Sequence, residues 1–343
     1  GMIYLSGSDN AGGGYSGPWR RLTRDLAEAP LPGGAKQFAD RYGKMGGGYF
    51  GNQGSAVAPD GTLYFNGMFT FRINAIFQLK PDGTPGACPR LRDAFANAAI
   101  SPACKKAGFD GALVGWLQDQ SGGVDVDQQG NIYAGVRILP RDFKMPAEFD
   151  KLDRKAFRHW FESLGSVIKF APTGGGMVPD SLKPGEKYRI DKAWTYEFTV
   201  PEKIADGVKM GFGQRLDWYQ PPRTITMEGG LAAYPMLAPF SNQCACQTPR
   251  FEVDDYGRLF IPNALTCSVQ VVDNEGNLIT RFGRYGNADS AGPGGRIPGP
   301  AIPLAYPVAV RTSLKHIYVA DSANRRVVRL DPSYIAEQTV AIK

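Results

Sequence analysis

The chain repeats one strand pattern at intervals of about 60 residues, and a repeat of that length limits the folds open to it. The pattern is a short strand, a turn with Asp or Gly, and a second strand that reads aliphatic-aromatic-aliphatic. The aliphatic residue recurs in steps of 60, 69, 127 and 58 residues, at Ile3, Leu63, Ile132, Leu259 and Ile317. Because 127 is about two periods, we predict six units, one of them degenerate between residues 190 and 245.

A third strand, charged on one face and apolar on the other, follows each clear copy. These third strands lie at 75–80, 166–170, 268–273 and 326–330. Consecutive strands joined by short turns form antiparallel sheets, and radial repetition of such sheets is a β-propeller. The 43 Gly and 26 Pro among 343 residues suit many short strands with tight turns. We therefore predict an all-β fold, a six-bladed β-propeller that forms a single domain over residues 1–343.

The repeat leaves three long segments that we interpret as insertions, at about 85–123, 141–165 and 173–247. Within the second insertion, apolar residues at helical spacing predict a helix over 146–164. To close the ring, we expect the strand at 3–5 to share a blade with a strand at 339–342, which removes an exposed sheet edge. Apolar runs are far shorter than the roughly 18 residues that a membrane span needs, so we expect no membrane span.

The segment from Tyr318 to Leu330 reads Y-V-A-D-S-A-N-R-R-V-V-R-L and resembles the NHL repeat. In that family, V-A-D ends the second strand, and Arg with β-branched residues opens the third. The resemblance implies a six-bladed propeller, and it is strong over about one blade. The segments 244–254 and 281–287 also resemble uncharacterised NHL-type domains of large secreted bacterial proteins. Asn66-Gly67 and Asn263-Ala264 depart from the family pattern, since they stand where V-A-D is expected.

Scarcity of histidine restricts the possible chemistry. With only His159 and His316, a three-histidine metal site is excluded. We interpret both as structural or surface residues. No motif of a serine hydrolase, zinc protease or phosphate-binding loop is present. The segment 125–130 is interpreted as a hairpin turn, because position 136 is Val where a calcium loop needs an acidic ligand.

Five cysteines are too few for a disulfide-built scaffold. We predict a disulfide between Cys88 and Cys104, which flank a short helix-like stretch. A second disulfide is expected between Cys267 and either Cys244 or Cys246, of which Cys246 is preferred. The alternatives for these last three are buried thiols or a site for Cu(I) or Zn²⁺.

Related six-bladed propellers, including lactonase-like enzymes, hold calcium in the central channel with acidic and Asn side chains. Here Asn66, Asn263 and Asp321 follow the second strand in three repeats, so radial closure could bring their oxygens together. Asn and Asp at strand ends also commonly terminate strands through side-chain turns. A metal site at these three residues is therefore an alternative hypothesis.

Arg and aromatic residues are abundant in the connecting segments, a composition that ligand-binding surfaces use. We predict that the insertions form a wall around one mouth of the channel, with Trp116, Arg137, Arg215 and Trp218 nearest a ligand. The alternative is that these insertions only cap the propeller.

From these observations the sequence favours a monomeric, non-catalytic propeller that binds a ligand or a protein, with no cofactor. We expect it to be part of a larger extracytoplasmic bacterial protein, periplasmic or secreted, whose ligand is a protein, peptide or carbohydrate. The alternative is a metal-dependent lyase or lactonase with Ca²⁺ or Zn²⁺ at the channel. A third reading is RNA binding. The net charge of +6 suggests it, but the basic residues are scattered, which disfavours nucleic acid.

Overall fold

A computed structural model gives the architecture of the chain. It describes residues 2–6, 19–31, 33, 52–70, 73–84, 86, 113–118, 121–149, 153, 163–180, 182–189, 197–199, 207–211, 224–240, 248–287 and 299–333. The described part is built from strands, with a single 3-10 helix at Ala147–Phe149, so the all-β class is confirmed. Within these ranges there is no helix long and apolar enough to cross a membrane.

The strands are numbered along the chain. The first nine are β1 (Ile3–Ser6), β2 (Trp19–Leu22), β3 (Glu28–Ala29), β4 (Asn52–Val57), β5 (Leu63–Thr70), β6 (Ile73–Leu79), β7 (Leu113–Gln118), β8 (Ser121–Val126) and β9 (Ile132–Val136). They are followed by β10 (Leu139–Pro140), β11 (Gly165–Phe170), β12 (Gly175–Pro179), β13 (Lys187–Arg189), β14 (Glu197–Thr199), β15 (Gly207–Gly211), β16 (Ile225–Glu228) and β17 (Gly230–Leu237). The last nine are β18 (Glu252–Val253), β19 (Leu259–Asn263), β20 (Ser268–Val272), β21 (Leu278–Phe282), β22 (Arg284–Tyr285), β23 (Pro303–Leu304), β24 (Pro307–Thr312), β25 (Ile317–Asp321) and β26 (Arg326–Leu330).

Four antiparallel units carry the repeat, and we name them blades I to IV. Blade I is β4-β5-β6-β7, blade II is β8-β9-β11-β17, blade III is β18-β19-β20-β21 and blade IV is β24-β25-β26. The second strands of all four start at the predicted aliphatic residues, Leu63, Ile132, Leu259 and Ile317. The turn predicted at 125–130 is confirmed, since the Asp127 N–H donates to the Asn131 carbonyl at 3.1 Å.

The first strands of successive blades lie against one another. A side chain at Gly54 on β4 would meet the Cα of Gly123 on β8 at 2.7 Å, so these two strands touch through glycine backbone. Between blades III and IV, Arg250 and Ala309 form a parallel bridge. Sheets of this kind, with their first strands adjacent, have the arrangement of propeller blades. The number of six blades stays a prediction.

Hydrophobic side chains fill the space between blades. One cluster joins blades II and III through residues that include Tyr133, Leu259 and Ile261. A second joins blades III and IV and includes Phe260 and Val319. Strand β19 therefore faces a neighbouring blade on both sides, which explains why its apolar run is uninterrupted. Full burial of a Val, Leu, Ile or Phe side chain contributes about 1.5 to 3 kcal/mol to the free energy of folding.

Two of the segments expected to be insertions supply strands to the sheets. From 85–123 comes β7, the fourth strand of blade I, and from 173–247 comes β17, the fourth strand of blade II. Blade I also continues beyond β7, because β12 pairs with β7 in parallel and extends the sheet to eight strands in the order β10-β15-β16-β12-β7-β6-β5-β4. The outer strand of blade I, β7, is therefore paired with another strand and does not leave an open sheet edge.

Two predictions at other places fall largely outside the described residues. In the segment predicted as a helix, 146–164, the described part holds only the 3-10 helix, and most of the rest is not described. At the N-terminus, β1 pairs with β2 in a three-stranded sheet with β3. The proposed partner strand at 339–342 lies outside the described residues, so the shared blade stays a prediction.

Candidate functional site

One register position of the first strands carries charge in three successive blades. Asp125, Glu252 and Arg311 stand opposite Tyr133, Phe260 and Tyr318 of their second strands, and Ala56 holds the equivalent place in blade I. Since the first strands of blades II, III and IV are adjacent, this shared register brings the three charged side chains together. We call Asp125, Glu252 and Arg311 the inter-blade cluster.

Hydrogen bonds connect the inter-blade cluster across both blade boundaries. The Arg311 Nη1 donates to Glu252 Oε2 at 2.6 Å and to the Phe251 carbonyl at 2.7 Å. Across the other boundary, Asp125 Oδ2 accepts a hydrogen bond of 2.7 Å from the Val253 N–H, and Oδ1 accepts one of 2.9 Å from the Val126 N–H. The cluster therefore joins three blades.

The two carboxyl groups have raised pKa values. Burial raises the pKa of Glu252 to about 8; the nearby Asp125 adds to the increase, and Arg311 opposes it. Burial also raises the pKa of Asp125 to about 6, against the influence of Arg311 and the two backbone N–H groups. Two carboxylates that share one cation in a partly buried site cannot both ionise as easily as in water.

A groove open to solvent begins at Glu252 and runs between blades III and IV. It is formed by the first turn of blade III, residues 254–258, and the first turn of blade IV, residues 313–316. Tyr256 and Leu314 stand in the two turns and are 75% and 77% exposed. They add exposed apolar surface to a lining that also contains the carboxyl groups of Glu252, Asp254 and Asp255.

The ring of Tyr256 packs against the side chain of Arg258. The Arg258 guanidinium lies 5.1 Å from the centre of the Tyr256 ring and 5.8 Å from that of Phe260. Asp254 fixes this guanidinium through Oδ2, which accepts a hydrogen bond of 2.7 Å from Arg258 Nε and lies 2.5 Å from Nη2. An exposed aromatic ring with a fixed position loses little entropy when it binds a ligand.

A second polar network joins blades II and III. Tyr133 donates a hydrogen bond of 3.1 Å to Asp127 Oδ2, and Lys169 lies 3.8 Å from the same oxygen. Lys169 also binds Asn274 Oδ1, and Tyr234 donates to the Asn274 carbonyl at 2.7 Å. Burial raises the pKa of Tyr234 to about 12, so both tyrosines act as neutral donors.

The residues predicted to line a ligand site are only partly described. Trp116 lies on β7, where its backbone stands opposite Ala75 and Gly176. Arg137 is buried directly after β9, which does not suit an exposed anchor. Arg215 and Trp218 lie outside the described residues, so their part in a ligand site stays a prediction.

The three residues of the hypothetical calcium site have partners within their own surroundings. Asn263 Oδ1 accepts hydrogen bonds from the Leu265 and Thr266 N–H groups, as in a side-chain turn. Asp321 Oδ1 accepts from the Ala305 and Tyr306 N–H groups, and its Oδ2 from Asn324 Nδ2.

Asn66 differs, because it donates to the Gly123 carbonyl at 3.4 Å while its Oδ1 has no hydrogen-bond partner among the described residues. Within those residues no hydrogen bond joins any two of Asn66, Asn263 and Asp321. Nor is a group of three or more His, Cys, Asp or Glu placed there to hold a metal. The metal hypothesis stays a prediction that elemental analysis of the purified protein checks.

Cys267 is a half-buried free thiol whose sulfur lies 3.4 Å from the Ala305 carbonyl oxygen. Burial, and after it Asp321, raises its pKa. Cys88, Cys104, Cys244 and Cys246 lie outside the described residues, so both disulfides stay predictions. His316 binds Asp331 at 2.7 Å on the surface, and His159 is outside the described residues.

The residues of the inter-blade cluster and the groove were not among the predicted site residues. One signal for the inter-blade cluster was present in the sequence: when the repeats are aligned by their turns, Asp125, Glu252 and Arg311 fall in one column. A column of opposite charges at a position that faces the next blade indicates contact between blades.

Comparison with known proteins leaves this chain without a family. No protein-family model and no curated protein matches it. Solved structures with some similarity include a Bacteroides caccae protein of unknown function, at 10% identity and a TM-score of 0.36, covering 93% of this chain and 72% of that one. Another is virginiamycin B lyase from Staphylococcus aureus, at 12% identity and a TM-score of 0.34, and this match covers 100% of this chain and 89% of that one. A chain of a nidogen/laminin complex has 11% identity and a TM-score of 0.34, and the match covers 96% of this chain and 89% of that one. Similarity at this level assigns neither an activity nor a ligand.

Proposed function

We propose that this chain is a monomeric, non-catalytic β-propeller that binds a ligand or a protein partner as part of a larger extracytoplasmic bacterial protein. The observation that carries the proposal is the groove between blades III and IV, with the exposed ring of Tyr256 fixed at its wall. Aromatic side chains held in place and open to solvent are typical of the residues that dominate binding interfaces.

The state of the charged groups supports binding over catalysis. Arg311 is bonded to Glu252 and to a backbone carbonyl, and Asp125 accepts hydrogen bonds from two backbone N–H groups. These bonds use the charged side chains in the contact between blades. Glu252 also lines the groove, so the proposal is tested by asking whether a bound compound is changed as well as whether it binds.

A paired binding and turnover experiment tests this proposal. The purified chain is applied to arrays of peptides and glycans, and each bound compound is then recovered and analysed by mass spectrometry. We expect at least one class of compound to be bound and to be recovered unchanged. Failure to bind any compound would contradict the binding function, and recovery of a cleaved or isomerised compound would move the assignment to an enzyme.

The location in the cell needs its own experiment. Expressed with a leader for export to the periplasm, the chain is expected to fold with four of its five cysteines in disulfides. Equal yield and equal thiol content after expression in the reducing cytoplasm would argue against an extracytoplasmic protein.

A further inference from the structure

The turns at one end of the blades carry an excess of carboxylates. In an antiparallel blade, the turn after the first strand and the turn after the third strand lie at the same end, and we call this end the turn face. In blades I to IV the described residues of these turns include eight carboxylates, at Asp60, Asp82, Asp127, Asp254, Asp255, Asp273, Glu275 and Asp331. Against them stand three cations in the same turns, at Lys80, Arg258 and Lys315, and two on adjoining strands, Lys169 beside Asp127 and Arg329 beside Asp331.

This excess is opposite in sign to the net charge of +6 of the whole chain. Charge is therefore segregated, and the described turn face is negative on a basic protein. A surface of one sign raises the local concentration of ligands of the other sign and steers their approach. The groove between blades III and IV opens on this face, because both of its walls are turns after a first strand.

The groove itself combines negative charge with apolar walls. Asp255 is exposed at its rim, where its Oδ1 accepts a hydrogen bond of 3.2 Å from Gln128. Leu314 and the free side of the Tyr256 ring supply apolar surface. Two cations stand in the turns that form it: Arg258, which is paired with Asp254, and Lys315 in the turn of blade IV.

A Lys or Arg side chain has the matching chemistry. Its methylene stem covers apolar surface while its charged head stays in contact with water and with carboxylates. Tyrosine also attracts a cation to the face of its ring. A free polyamine lacks the peptide backbone that would lie across the rim formed by the two turns.

We propose that the groove between blades III and IV docks a basic peptide segment, with a Lys or Arg side chain inserted between Tyr256 and Leu314 and directed to Asp255. This inference rests on the proposed binding function and names the chemical class of its partner. The rest of the negative turn face adds attraction at long range, so binding weakens as the salt concentration rises.

Fluorescence anisotropy tests the proposal with three labelled peptides, Gly-Lys-Gly-Lys-Gly-Lys-Gly and the same sequence with Glu or Gln in place of Lys. At low salt we expect the lysine peptide to bind and the other two not to bind. Tyr256→Ala should weaken this binding about tenfold, as expected of a residue that dominates an interface. Asp255→Asn should weaken it about threefold.

Matched variants outside the groove serve as controls. Tyr285→Ala removes another exposed tyrosine, and Asp25→Asn removes another exposed carboxylate. Both should leave the affinity unchanged, and thermal unfolding of every variant shows that it is folded. The proposal is overturned if the lysine peptide does not bind, or if Tyr256→Ala and Tyr285→Ala have equal effects.

Two further outcomes separate this inference from neighbouring ones. If spermidine displaces the peptide at equal concentration, the occupant is a free amine and the peptide assignment is wrong. If the arrays yield a ligand whose binding is unaffected by Tyr256→Ala, the chain is a binding protein but the groove is not its basic-peptide site.

Discussion

The guanidinium of Arg311 lies 2.6 Å from the carboxylate of Glu252, although the two residues are 59 positions apart and belong to different blades. Both occupy the same register position of a first strand, so the pair is a direct product of the repeat. The same guanidinium also donates to the Phe251 carbonyl. One side chain thus fixes the first strand of blade III against that of blade IV.

Removing the Arg311 side chain should moderately lower the stability of the protein. Arg311→Ala leaves Glu252 partly buried without its cation, and we expect the free energy of unfolding to fall by about 1 to 2 kcal/mol. The control is Arg329→Ala, because Arg329 is more exposed and its Nε forms a long ion pair of 3.8 Å with Asp331. There we expect the free energy of unfolding to change by less than about 0.5 kcal/mol. Urea denaturation measures both, and equal losses would contradict a special role of the Arg311 contact.

The raised pKa values of Glu252 and Asp125 predict how stability depends on pH. The pKa of Glu252 increases from 4.5 to about 8 and that of Asp125 from 3.8 to about 6. Between the unfolded and the folded values the folded protein binds more protons, so the free energy of unfolding falls as pH rises from about 5 to about 8. Glu252→Gln should remove much of this slope.

Denaturation midpoints at several pH values check this prediction, with Glu28→Gln as the control, since Glu28 is an exposed carboxylate in the sheet formed by β1, β2 and β3. The free energy of unfolding of Glu28→Gln should depend on pH in the same way as that of the unmodified protein. A stability that increases from pH 5 to 8 in the unmodified protein would show that the two carboxyls are ionised throughout this range.

The contact between β4 and β8 predicts that Gly54 tolerates no side chain. Gly54 has a φ of 143°, and a Cβ there would meet backbone atoms of β8 at 2.7 and 2.9 Å. Gly54→Ala should cost on the order of 3 kcal/mol, because both the backbone conformation and the strand contact are disturbed.

Gly185→Ala is the matched control for this cost. Gly185 also has a positive φ, 75°, but a Cβ there meets nothing within 4 Å. The expected cost is about 1 kcal/mol. Similar costs at the two positions, measured by thermal unfolding, would mean that β4 and β8 are not in contact.

Thiol counting tests the cysteine predictions. With disulfides between Cys88 and Cys104 and between Cys246 and Cys267, the unfolded and unreduced chain carries one free thiol. Mass spectrometry after labelling should then show one tag per chain, and five tags only after reduction. Five tags without reduction would fit the free thiol of Cys267 in the structure and would contradict an extracytoplasmic protein.

The sequence predicts the second and third strands well because their signal is local. Strands β5, β9, β19 and β25 start at the aliphatic residue of the repeat, and β26 has the predicted bounds of 326–330. The apolar residues of β5, β9 and β19 directly follow a turn that contains Asp and Gly, and β25 is marked by the apolar residues of the strand itself.

The fourth strand of blade II could not be predicted in this way. Strand β17 starts at Gly230, 60 residues after the end of β11 at Phe170, and the chain forms other strands in between. Its place in the sheet is set by pairing with β11 at long range. For the same reason the segment 173–247 resembles an insertion in the sequence while it supplies blade strands in the structure.

The groove between blades III and IV was beyond prediction for a related reason. Tyr256 in a turn indicates only an exposed residue, and its fixed position depends on Arg258 packed between two rings. The groove also needs the turn of blade IV, 313–316, as its second wall. Neither relation follows from the spacing of residues within one repeat.

Photocrosslinking from position 256 tests most directly whether this groove is a binding site for basic peptides. Benzoylphenylalanine replaces Tyr256 in one variant and Tyr285 in the control, and each is irradiated with the labelled lysine peptide. We predict a crosslinked product from position 256 alone, lost when unlabelled lysine peptide is added in excess. Equal crosslinking from both positions, or none from position 256, would contradict the account.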